Sequence, residues 1–111
     1  MADKLDLSKL YDQMLVWRVR MNLQHWRVRL HLEPALGEHV RGRCYWEAKL
    51  QDATVLINPL WPFDREYSAE RTLVHELVHL KLADLGDPVP DGVEEIVVKL
   101  TDIYMNEYAK N

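Results

Sequence analysis

The segment His75-Glu76-Leu77-Val78-His79 lies inside the mostly apolar run 71–82 and constrains the fold more than any other stretch. Burying two imidazoles and a carboxylate without partners costs several kcal/mol, so something must satisfy them. On a helix, residues four apart stack on one face, and both imidazoles can then converge on a single point. A metal ion at that point removes the burial penalty. Glu76 is offset by one residue, beside the ion, where it can polarise a bound water. The expectation is a catalytic zinc site on a central helix, with His75 and His79 as two of its protein ligands.

A chain of 111 residues is expected to form one domain spanning 1–111. Cys44 is the only cysteine, so neither an internal disulfide nor a cysteine-built zinc site can form. The first residues are charged from Asp3 onward and do not read as a secretion signal. No apolar run approaches the ~18 residues of a membrane span. A cytoplasmic protein is expected, with no membrane partner.

Charge is unevenly distributed. Residues 1–50 hold nine Lys or Arg against six Asp or Glu, whereas residues 51–111 hold five against twelve. Arg18, Arg20, Arg27, Arg29, Arg41 and Arg43 make the first half Arg-rich. A nucleic-acid surface is one reading of that half, and a solvated sheet face is the plainer one.

In chain order, residues 6–22 read as a helix, with Leu7, Leu10, Tyr11, Met14, Leu15 and Met21 on one stripe and Asp6 or Ser8 as cap. The period then changes to two. Trp26, Val28, Leu30 and Leu32 alternate with Arg27, Arg29, His31 and Glu33, as in a half-buried strand that Pro34 ends. A second strand is expected over 43–50, with Cys44, Trp46, Ala48 and Leu50 inward, and a third over 53–58. The short link between them favours antiparallel pairing. Ser68 or Asp64 caps the central helix, and Gly86 ends it. Asp91 is the expected cap of a last helix, whose stripe is Val93, Ile96, Val97, Leu100 and Tyr104. The fold class is therefore α+β: an N-terminal helix, a small three-stranded, mainly antiparallel sheet, a central helix and a C-terminal helix.

A third ligand must come from a segment that returns to the central helix. Glu94 and Glu95 open the last helix. Glu94 stands one turn before Val97 and borders the buried face, so it is the expected ligand. Glu95 is the alternative, although its spacing to Lys99 suits an exposed ion pair. Tyr67, Tyr104, Tyr108 and His31 are available as donors to an oxyanion. A free edge of the sheet, from the first or the third strand, would hold an extended peptide.

With these elements in place, the chain resembles the minigluzincins, very small zinc-dependent metallopeptidases in which a downstream Glu completes the metal site. The resemblance covers nearly the whole chain in element order, and it rests on His75, Glu76, His79 and a Glu at 94 or 95. It implies one zinc ion held by His75, His79 and Glu94, Glu76 as general base and acid, a peptide or protein substrate, and activity that is latent until a blocked cleft opens. No H-x-x-G-x-x-H extension follows the motif, so the site is not of metzincin type. Two rival readings are a non-catalytic, zinc-stabilised binding or regulatory module and a DNA-associated protease.

Overall fold

The computed structural model describes residues 5–64, 68–86 and 92–109. The expected caps and turn residues Pro88, Pro90 and Asp91, and also Tyr67, lie outside the described residues. Three helices and three strands follow in the order α1 (Leu7–Arg20), β1 (Arg27–Leu32), β2 (Gly42–Glu47), β3 (Asp52–Ile57), α2 (Ala69–Asp84) and α3 (Val93–Ala109). The class is α+β, as expected.

The sheet runs β1-β3-β2 and is mixed. β2 and β3 pair antiparallel, with Cys44 opposite Val55, as their short link requires. β1 and β3 pair parallel, with Leu30 opposite Val55. Strand composition explains the order. β3 turns Ala53, Val55 and Ile57 into the core, all at most 2% exposed, and so takes the centre. The Arg-, Tyr- and Glu-bearing strands take the edges, where polar side chains meet water.

α1 begins at Asp6, whose carboxylate accepts from Lys9 N–H. Its buried stripe is Leu10, Met14 and Trp17, continued by Met21. Leu7, Tyr11 and Leu15, expected in that stripe, are exposed. The helix is rotated to bury Trp17, its bulkiest side chain. The Trp17 indole N–H donates to Glu70 Oε2 at 2.9 Å, so burial leaves no orphaned donor. β2 ends earlier than expected: residues 48–51 form a turn, and Leu50 faces solvent. Trp46 is also exposed, because no described element lies beyond this edge to cover it.

α2 packs against α1, α3, β2 and β3. Leu73, Val74, Leu77, Val78 and Leu80 are essentially inaccessible, so the helix is central to the core. Its last turn passes into Gly86, whose φ of 77° suits a residue without Cβ. In α3, Val97 and Thr101 are buried, and Thr101 satisfies its hydroxyl by donating to Val97 O at 2.7 Å. Ile96, expected inward, is exposed.

Candidate metal centre and cleft

Ser68 caps α2 by accepting from Arg71 N–H at 3.0 Å, with Glu70 in the first turn at the positive end of the helix dipole. Apolar residues on most sides fix the helix axially and rotationally. One face is left toward β2 and α3, and it carries His75, Glu76 and His79. The two imidazole rings stand 5.2 Å apart, and both side chains are partly buried.

Glu94 lies in the first turn of α3. One of its carboxylate oxygens is 3.1 Å from His75 Nε2, and the other is 2.6 Å from His79 Nε2. Glu95 instead points to solvent and pairs with Lys99 at 3.5 Å. Of the two glutamates, the fold brings Glu94 to the histidines.

His75, His79 and Glu94 offer ligand atoms that all lie within 4.8 Å of one another. Two imidazole nitrogens and a carboxylate are a donor set suited to a first-row divalent ion. Ligand atoms around one tetrahedral ion sit roughly 3.3 Å apart, given bond lengths of ~2.0–2.1 Å. The His75–Glu94 and His79–Glu94 separations of 3.1 and 2.6 Å are shorter than this, and the three ligand atoms together lie within 4.8 Å. The Glu94 side chain is 67% exposed and has room to withdraw by that small difference. The three residues therefore fit a metal.

Burial lowers the His75 pKa, although Glu94 opposes the shift, so the imidazole is held neutral, the form that donates a lone pair. Glu76 is 7% exposed. Its carboxyl is pushed up to about 7, first by burial and then by the charge of Glu94, with Arg43 and Arg41 pulling the other way. Across from it, Cys44 is pushed up to about 12 by burial and by the charge of Glu76, so its thiol stays protonated.

These side chains open into a cleft of about 910 Å³ between β2, α2 and α3. Arg41, Gly42, Arg43, Tyr45, Thr72 and Asp102 line it together with the His-His-Glu group. β2 is the strand beside this cleft, and no strand pairs with its outer edge among the described residues. β3 is central, so it offers no free edge, contrary to the expectation that the first or third strand would border the site. Asn58 N–H donates to Arg41 O, so Arg41, Arg43 and Tyr45 turn their main-chain groups toward β3. Gly42, Cys44 and Trp46 turn theirs outward.

Of the oxyanion donors considered, Tyr104 and Tyr108 pack edge-on against Trp17, and His31 lies in a separate groove beside β1. Tyr45 is the tyrosine lining the cleft among the described residues. Sequence reasoning missed Thr72, Val98 and Asp102. Helical spacing carried a signal for each: Thr72 precedes Glu76 by four, and Val98 and Asp102 follow Glu94 by four and eight. Gly42 was missed as well, and its signal was a glycine opening an edge strand.

Comparisons with models of known families, with curated proteins and with solved structures each return no match. The functional reading thus stands on the chain's own residues.

Proposed function

We propose that this chain is a zinc-dependent peptidase whose ion is held by His75, His79 and Glu94 and whose general base is Glu76. The observation that carries the reading is Glu94 reaching both histidines of the H-E-x-x-H helix, with a cleft in front of them. A zinc ion supplies a Lewis acid, which acidifies water and polarises a carbonyl.

The protein groups supply the rest. The outward amides and carbonyls of Gly42, Cys44 and Trp46 bind an extended peptide as an added strand. This places a scissile carbonyl beside Glu76. A Glu76 oxygen takes the proton as water oxygen bonds to the carbonyl carbon. Glu76 then returns that proton to the amide nitrogen as the C–N bond breaks. In the metal-free protein burial and the charge of Glu94 raise this carboxyl to about 7, and Glu76 is the buried carboxylate beside the site that can accept and then return the proton.

Glu76→Gln tests the reading against a zinc-stabilised module that does no chemistry. The peptidase keeps its bound zinc and loses about 100-fold or more in kcat on a peptide library. Wild-type protein that binds zinc and cleaves no peptide, with or without limited proteolysis to release latency, overturns it.

A further inference from the structure

A second groove lies along β1, at the opposite edge of the sheet from β2 and the metal centre. Arg18, Arg27, Arg29, His25 and His31 line it, and no carboxylate does. This is notable in a chain of net charge −4. Two carboxylates lie next to it. Asp52 pairs with Arg29 at 3.5 Å, and Asp84 pairs with His25 at 2.7 Å. Arg18 spends its hydrogen bonds on the carbonyls of Leu23 and Gln24, which leaves its charge uncompensated. Arg27 makes no ion pair among the described residues.

The groove floor is main chain. Val28 and Leu30 line the groove, yet their side chains are turned into the core and each residue is 8% exposed. Arg27 N–H donates to Gln51 O, and Glu33 N–H donates to Ile57 O. Odd-numbered residues of β1 therefore turn their peptide groups to β3, and Val28 and Leu30 turn theirs to the open side. A row of strand groups with no partner strand among the described residues, flanked by cations, is a template for an added strand. Self-pairing of two β1 edges would set Arg27, Arg29 and His31 against their own copies, and this repulsion disfavours a second copy.

We propose that the β1 edge is a docking groove for an extended, acidic peptide segment of a partner protein. The segment adds as a fourth strand, hydrogen-bonded to Val28 and Leu30, with its carboxylates against Arg27 and Arg18. The site is independent of the metal centre.

The test uses the full chain, a short peptide alternating glutamate and valine, its lysine counterpart, and single-stranded DNA. Affinity and amide hydrogen exchange are measured for each. The glutamate peptide is expected to bind about tenfold or more tightly than the lysine peptide. It should slow exchange at the Val28 and Leu30 amides, and N-methylating its alternate amides should abolish that protection. Arg27→Glu should weaken binding about tenfold with unchanged melting. Absence of binding, binding without protection at Val28 and Leu30, or binding of DNA in preference to the peptide would each overturn the proposal.

Discussion

Gly42 and Thr72 approach across the gap between an edge strand and the central helix, one turn before Glu76, with no room for a side chain between them. A Cβ built on Gly42 would lie 3.4 Å from Glu76 Cγ, 2.9 Å from Thr72 Cγ2 and 2.9 Å from Leu56 O. The strand therefore lays main chain, not a side chain, against the helix beside the proposed catalytic carboxylate. Gly42→Ala must displace the strand, the helix or both. We expect a loss of about 1–3 kcal/mol in denaturant unfolding, as for other overpacked sites. Activity should fall with it, and hydrolysis at wild-type rate would show that Glu76 need not lie against β2.

Glu94 and Glu95 are neighbours with opposite environments, and their substitutions should separate cleanly. Glu94→Ala is expected to lower zinc affinity strongly, and His79→Ala to abolish it, both read by elemental analysis and titration. Either change should remove the gap in melting temperature between zinc-loaded and zinc-free protein. Glu95→Ala loses only the exposed pair to Lys99, about 0.5 kcal/mol or less, and should bind zinc normally.

Asp84 ties the end of α2 to the start of β1. It accepts from Trp26 Nε1 at 2.8 Å and meets His25 Nε2 at 2.7 Å. Burial alone would raise its carboxyl, but the hydrogen bonds from His25 and Trp26 and the charges of His25 and Lys81 together hold it below the usual range. A carboxyl lowered in the folded state stabilises the fold fully above the unfolded value of about 4, and that contribution is lost as pH falls through the lower folded value. Asp84→Asn should therefore melt lower than wild type at neutral pH. The difference should narrow on acidification below about pH 4 in a melting series.

Cys44 has a thiol pushed up to about 12 and facing a carboxylate. Thiolate is the reactive form, so the native zinc-free protein should be alkylated by iodoacetamide at pH 8 at least ~100-fold more slowly than the unfolded chain. Equal rates would place the thiol in water and away from Glu76.

Much of the local structure was legible. The alternation of Val28 and Leu30 with Arg27 and Arg29, the cap at Ser68 and the turn at Gly86 are decided by residues a few positions apart. Errors arose where a helix or strand had more than one apolar side to offer. Leu7, Tyr11 and Leu15 fit a stripe as well as Trp17 does, and partners on other helices, the Glu70 acceptor and the rings of Tyr104 and Tyr108, select Trp17. Trp46 alternates like a core residue, yet it sits on an edge that no described element covers.

The sequence by itself determined the pair of histidines on one helical face, the carboxylate between them and the two glutamates available to join them. It did so because a helical period is a local property, written into spacing. Only the tertiary structure decided that Glu94 meets both imidazoles, that β3 enters the sheet between β1 and β2, and that Gly42 backs Glu76. These depend on how elements far apart in the chain rotate and pack, and that choice rests on burial summed over the whole core rather than on any one segment.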